Sequence, residues 1–198
     1  AHGGEFGFNV DELAIVQFAG FHHLADAFDD VGLRRNRVRA NDFGPAKRDG
    51  LGNGVTFPLS VGATVVLMAD RPTPDATFAR WIDQQPTVFF GAPTGFAGML
   101  AHPKLPARVQ VSLRMCSSAG EALPAEIAQR FKAHFGADIV DGLGSTEMLH
   151  IFLSNRPDDI RYGTTGKPVP GYEIELRGED GKPVGDGDIG DLYIKGPS

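Results

Sequence analysis

Two acids, two glycines and two hydroxyl residues fall within seven consecutive positions, Asp141-Gly142-Leu143-Gly144-Ser145-Thr146-Glu147. Gly142 and Gly144 remove side-chain bulk, so backbone there could approach a ligand closely and take positive φ at little cost. Ser145 and Thr146 offer hydroxyls, and Glu147 offers a carboxylate suited to a hard cation such as Mg2+. Exposed N–H groups, hydroxyls and one acid beside a strand end suit a nucleotide's phosphate and its metal. The same residues also fit an ordinary strand-to-helix turn, with a capping Ser or Thr and an acid in the first turn. On these positions alone both readings stay open, because short glycine-rich signatures recur by chance.

The elements around the loop favour a site. Ala137-Asp138-Ile139-Val140 reads as a buried strand that delivers the chain to it. Upstream, residues 63–68 read as a strand buried on both faces, and 87–90 as another, ended by Gly91 and Pro93. Residues 113–116 make a further strand that opens into Ser117-Ser118-Ala119-Gly120-Glu121. Between them, Pro72 and Pro74 introduce a helix through Gln84, with Phe78, Trp81 and Ile82 on one side. Thr94 is placed to cap a short helix carrying Phe96, Met99 and Leu100. Pro124 starts a helix with Ile127 and Phe131 that stops near Gly136. Strands alternating with helices at these intervals predict βαβ units and a mostly parallel sheet flanked by helices. Ligands of such sheets sit beyond the carboxyl ends of the strands. The two most Gly/Ser-rich loops, after Cys116 and after Val140, both fall there.

Composition narrows the partners. With 198 residues and 41% apolar content the chain can bury a core, and its net charge of −6 argues against a nucleic-acid footprint. The basic run from Arg34 to Arg39 reads as a solvated loop within the polar stretch 32–50. Cys116 is the only cysteine, which excludes an internal disulfide and favours a reducing, cytoplasmic setting. No apolar run reaches the roughly 20 residues of a membrane span. Apolar spacing at Leu13, Val16, Phe21, Leu24 and Phe28 predicts a helix over 11–29. On it, His22 and His23 would point about 100° apart and could not share one ion. The Phe and Trp residues read as core rather than as a cofactor box.

Beyond Asn155 the pattern changes to period-2 alternation. Tyr172-Glu173-Ile174-Glu175-Leu176 and Leu192-Tyr193-Ile194-Lys195 flank a turn at 179–182. This predicts half-buried antiparallel sheet, joined through 163–168. The expected organisation is therefore an atypical, unassigned segment at 1–49, a βαβ-type parallel-sheet subdomain at 50–160, and part of an antiparallel β subdomain at 161–198.

Seven blocks in order then carry a family resemblance. They are Gly50-Leu51-Gly52-Asn53-Gly54 with Thr56-Phe57-Pro58-Leu59, Val61-Gly62-Ala63-Thr64, Phe89-Phe90-Gly91-Ala92-Pro93-Thr94, Ser118-Ala119-Gly120-Glu121-Ala122-Leu123-Pro124, Gly142 through His150, Gly166-Lys167-Pro168-Val169-Pro170-Gly171, and Gly187-Asp188-Ile189-Gly190-Asp191-Leu192. Over residues 50–198 the chain resembles the AMP-forming acyl-CoA synthetases of the adenylate-forming superfamily, and within them the benzoate–CoA ligase group. The resemblance implies the α/β fold of part of the adenylate-forming N-terminal domain. It implies an acid–thiol ligase of aromatic compound catabolism that uses ATP, Mg2+ and coenzyme A on a small aromatic carboxylate. Thr146 would contact phosphate and Glu147 would hold Mg2+. Ala119, Gly120 and Glu121 would flank the adenine, with Asp141 and Gly142 continuing that wall and Ser145 beside the phosphates. Leu143, Gly144 and His150 would line the acyl pocket, the alternative for His150 being a packed core histidine.

Ahead of Gly50, where the family carries an aromatic cluster, this chain has Ala46-Lys47-Arg48-Asp49. The family's phosphate loop, its ribose-binding Thr-Gly-Asp and the catalytic lysine of its mobile domain are not found in these 198 residues. The expectation is thus a central portion of a ligase whose partners include its own missing N- and C-terminal portions. The competing expectation is a catalytically incompetent piece that retains part of the nucleotide and aromatic-acid pocket. A dinucleotide-binding fold is disfavoured, since no Gly-x-Gly-x-x-Gly follows the first strand.

Overall fold

A computed structural model describes the backbone of residues 13–16, together with residues 54–55, 58, 63–68 and 72–198. Strand β1 (Leu13–Val16) is the first element. It is followed by β2 (Thr64–Leu67), α1 (Pro74–Gln84), β3 (Val88–Gly91), α2 (Pro93–Leu100), β4 (Met115–Ser118) and α3 (Ala125–Phe135). The chain continues through β5 (Asp138–Gly144), β6 (Ile151–Ser154), β7 (Lys167–Pro168), β8 (Glu173–Arg177) and β9 (Asp191–Lys195). Seven strands form one sheet in the order β2-β1-β3-β4-β5-β6-β7, and β8 and β9 pair antiparallel as a separate small sheet. From β2 to β5 neighbouring strands are parallel, whereas β6 and β7 continue the sheet antiparallel. This is the α/β architecture expected, with the small antiparallel sheet after it.

Two expectations need correction. Within the helix read over 11–29, residues 13–16 are a parallel strand inserted between β2 and β3. The remainder of that stretch, with His22 and His23, lies outside the described residues, as does the basic loop at 32–50. Leu-Ala-Ile-Val is a short apolar run, and four such residues satisfy a helical or an extended pattern equally well. Strand β2, read as buried on both faces, leaves Thr64 exposed and Leu67 about half exposed. Among the described residues it is an edge strand, with β1 its one neighbour.

The central strands carry the core. Phe89, Cys116 and Ile139 are register partners across β3, β4 and β5 and lie in the main core. Over them pack Phe78 and Trp81 from α1, Phe96 and Met99 from α2, and Phe131 and Phe135 from α3. Trp81 meets Phe89 edge to face at 4.9 Å, and Phe96 meets Phe131 likewise at 5.2 Å. Each such buried ring contributes about 2–3 kcal/mol of apolar burial. The Phe and Trp residues among those described are core, as read. Ile82 is the exception in α1, nearly half exposed, and Thr77 takes the buried position instead. On the opposite face Val88 and Phe90 pack with Val65 and Met115. Burial pushes the Cys116 thiol well above its usual range, so this cysteine is inert core.

Helix ends follow local chemistry. Thr73 caps α1 by accepting from the Ala76 N–H at 3.3 Å. Gly136 ends α3 in the left-handed region at φ 74°. The Arg108 guanidinium covers it so tightly that a Cβ there would lie 2.5 Å from Cζ. A cation thus sits at the negative end of the helix. No helix among the described residues is long and apolar enough to cross a membrane.

Candidate functional site

β3, β4 and β5 run parallel, so their carboxyl ends finish on one edge of the sheet, and register partnering carries Gly91, Ser118 and Asp141 there together. Gly91 is bare because core rings crowd it, a Cβ there coming within 2.8 Å of the Phe89 ring and 3.3 Å of the Phe96 ring. Asp141 is only 5% exposed and Ser118 1%. Burial pushes the Asp141 carboxyl up to about 6 from 3.8, while Ser118 and the backbone N–H groups of Leu123 and Gly142 draw it partly back. The Ser118 hydroxyl lies beside this carboxyl, yet neither Ser118 Oγ nor Asp141 Oδ1 has a partner in good hydrogen-bond geometry. Two polar side chains buried side by side at the strand ends set this edge apart from the apolar core beneath it.

The bend after β4 is held by a contact the sequence concealed. Glu121 Oε2 accepts from the Thr94 backbone N–H at 3.1 Å and from the Thr94 hydroxyl at 2.5 Å. A carboxylate therefore sits at the N-terminus of α2, where the helix dipole favours it. Thr94, read as the cap of this helix, lies inside it. Ala92 is the N-cap and makes no side-chain bond, and the Thr94 side chain serves Glu121 instead. Gly120 turns the bend at φ 90°, with open space where a Cβ would stand. Ala119 is half-buried, and Gly120 and Glu121 are exposed.

After Asp141 the chain does not turn into a helix, which excludes the ordinary strand-to-helix reading of the loop. β5 runs on through Gly144 and folds back as β6 in an antiparallel hairpin, with a register shift between Leu143 and Gly144. The two glycines serve this hairpin. A Cβ on Gly142 would stand 3.0 Å from the Ile151 side chain and the Leu153 carbonyl, and one on Gly144 would be 2.6 Å from the His150 carbonyl oxygen. Neither has positive φ. The bareness expected to admit a ligand admits the returning strand.

Residues 145–150 form the tip. Ser145 N–H donates to the His150 carbonyl at 3.3 Å, and the Ser145 hydroxyl accepts from Met148 N–H at 3.3 Å. Leu149 N–H reaches the Thr146 carbonyl at 3.3 Å. Thr146 and Glu147 are exposed, Ser145 and Gly144 half-buried, and Gly142 buried. Leu143 is 37% exposed. His150 is half-buried with Nε2 fully out of solvent. Thr146 and Glu147 thus stand exposed while the imidazole tip is out of solvent, so one short turn presents two different surfaces.

Asn155, which in the sequence marks only a change of pattern, braces this site. It is 2% exposed. Its N–H donates to the Asp141 carbonyl at 2.9 Å and its Nδ2 to the Thr164 carbonyl at 2.6 Å, while Oδ1 accepts from Arg161 N–H at 2.9 Å. Gly166 passes so close that a Cβ there would lie 2.1 Å from Asn155 N. A buried amide sealing a loop gives no periodic signal, and only its position just after a strand hints at it. Among the described residues no cluster of three metal-ligating side chains exists.

The chain is similar to known proteins. A family profile described as AMP-binding enzyme matches residues 50–198. The chain is 58% identical over 150 residues to a benzoate–CoA ligase of Thauera aromatica, and 47% identical over 154 residues to a 4-hydroxybenzoate–CoA/benzoate–CoA ligase of Rhodopseudomonas palustris. Each match covers 75% of this chain and 28% of the relative, so the chain spans under a third of their length. Among solved structures, a benzoate CoA ligase from Burkholderia xenovorans superposes with TM-score 0.79 at 54% identity, over 96% of this chain and 34% of that one. An anthranilate CoA ligase in complex with anthranoyl-AMP superposes with TM-score 0.78 at 34% identity, over 96% of this chain and 32% of that one.

Proposed function

The chain belongs to the AMP-binding enzyme family, and from that premise we propose that it carries part of the adenylate site of an ATP-dependent aryl-acid–CoA ligase. The observation that carries this reading is the common edge. The bend around Glu121 and the start of the hairpin at Asp141 lie side by side where β4 and β5 end, over a buried acid and a buried hydroxyl. Relatives named for benzoate and hydroxybenzoate, and the anthranoyl-AMP of the anthranilate ligase, support a planar aromatic carboxylate as the acid. On this reading 50–160 is the adenylate-bearing subdomain and 161–198 belongs to a β subdomain. The reading places the chain in the cytoplasm, with no membrane and no nucleic-acid partner.

In the first half-reaction a carboxylate oxygen of the acid bonds to the α-phosphorus of ATP as the bond to the pyrophosphate oxygen breaks. In the second, the thiol sulfur of coenzyme A bonds to the acyl carbon, losing its proton, as AMP leaves. We assign Ala119, Gly120, Glu121, Asp141 and Gly142 to the adenine side, and the hydroxyls of Ser145 and Thr146 to the phosphates. Leu143, Gly144 and His150 form the acyl side, with the imidazole tip directed at the acid. A single exposed carboxylate next to hydroxyls fits Mg2+, which is commonly held by one or two acids plus substrate phosphates rather than by a protein cage. Glu147 is the residue to hold it, and the ion when bound neutralises phosphate charge. Hydroxyl donors fixed by the turn supply part of the same stabilisation.

By themselves these 198 residues are read as binding without turnover, since the site described is built from two loops only. The test is to incubate the chain with benzoate, ATP and Mg2+, follow pyrophosphate release, and titrate a non-hydrolysable benzoyl-AMP analogue by calorimetry. Analogue binding without pyrophosphate release is the expected result. Release at a typical enzymatic rate refutes the restriction to binding, and absence of both refutes the site.

A further inference from the structure

The tip of the hairpin contains the one residue of the site whose backbone is strained. Leu149 has φ 67°, and it is one of two non-glycine residues with positive φ among those described. It is also 64% exposed, so packing does not explain its conformation. The His150 N–H donates back to the Met148 carbonyl at 2.8 Å, which closes a three-residue turn centred on Leu149. A γ-turn of the positive-φ kind is rare and strained, and a branched side chain makes it more so.

What the strain accomplishes is seen in the next residue. His150 is pinned three ways: its N–H goes to Met148, its carbonyl accepts from Ser145 N–H, and that carbonyl lies against Gly144, where a Cβ would stand at 2.6 Å. Its Nε2 is then fully out of solvent, while Thr146 and Glu147, four and three residues earlier, stay exposed. A relaxed turn of the same length would rotate His150 relative to those two residues. We propose that Leu149 is a positioning residue, whose left-handed turn divides the tip into an outward phosphate side and an inward acyl side by fixing the direction of the His150 imidazole. The role lies in the backbone of Leu149, and the exposed side chain is dispensable to it. The inference rests on the aryl-adenylate reading only for what the two sides bind.

The experiment compares Leu149→Gly, which accepts positive φ freely, with Leu149→Val, whose β-branching resists it. The side-chain nitrogen and ring proton resonances of His150 are recorded by NMR in the ligand-free chain, and the benzoyl-AMP analogue is then titrated. Leu149→Gly is expected to leave the His150 resonances and pH titration at their parental values, to raise the melting temperature slightly, and to bind within threefold of the parent. Leu149→Val is expected to shift the His150 resonances and to weaken binding at least tenfold. Parental His150 signals in both variants overturn the proposal, and so does equal loss of binding in both, which would give the role to the side chain. His150 signals that move only in Leu149→Val, in a parent that binds no analogue, sustain the positioning role and remove the ligand reading alone.

Discussion

Asp141 is a charge in the wrong place for stability, and its chemistry makes a signed prediction. The folded chain holds the Asp141 proton up to about pH 6, whereas the unfolded chain releases it near 3.8. Its contribution is therefore most favourable below pH 4 and is lost as pH climbs through 6. Holding a carboxyl proton from 3.8 up to about 6 corresponds to at most about 3 kcal/mol, less the part that solvent screens. Asp141→Asn should raise stability at pH 7 by up to that amount and flatten the profile between pH 4 and 6, as read from urea denaturation. An unchanged profile would mean that the carboxyl is better solvated than its burial indicates. Glu147 makes the opposite kind of prediction, being exposed and outside the packing. Glu147→Gln should leave the unfolding free energy from urea denaturation within about 0.5 kcal/mol of the parent while weakening Mg2+-dependent ATP binding about tenfold. Calorimetry with and without a chelator checks this, and equal affinity in the variant would remove Glu147 from the site. At this scale the sequence showed acids and hydroxyls clustered beside a strand end, and the structure places Ser118 and Asp141 at one edge of the sheet. The sequence could not reveal Thr94 holding Glu121, a pairing of residues 27 apart that only the register of β3 and β4 creates.

Among elements, β2 to β5 and α1 to α3 were legible because apolar runs, Pro74 at the start of α1 and Gly136 at the end of α3 all agree with the fold. Two elements were not. Strand β1 is too short to carry a period, and its place between β2 and β3 is a tertiary choice. The β5–β6 hairpin hid behind its own glycines, since Gly-x-Gly marks close approach without saying what approaches. This difference is testable. Gly144→Ala should push its Cβ into the His150 carbonyl and cost about 1–3 kcal/mol, together with most analogue binding. Gly98→Ala, within α2 where a Cβ meets nothing within 4 Å, should instead gain about 0.5–1 kcal/mol. If both substitutions are neutral by urea denaturation, the hairpin is looser than its contacts imply.

For the molecule as a whole, Asn155 closes the structure behind the site by tying the Asp141 backbone to Arg161 and Thr164. Asn155→Leu should cost about 2–4 kcal/mol, because it removes the side-chain partners of the Arg161 N–H and the Thr164 carbonyl at once. Amide exchange at Arg161 should quicken, and an unaltered rate would show that solvent already reaches that bond. A further consequence concerns β5. Its first four residues belong to the parallel ladder and its last three to the hairpin, with no joint between them. One strand therefore carries the chain from the aromatic interior to the irregularity at Leu143–Gly144, just short of the tip, so a load at the tip reaches the ladder along the same backbone. Occupancy of the tip should register as slowed deuterium uptake in β4, the neighbouring strand of the ladder.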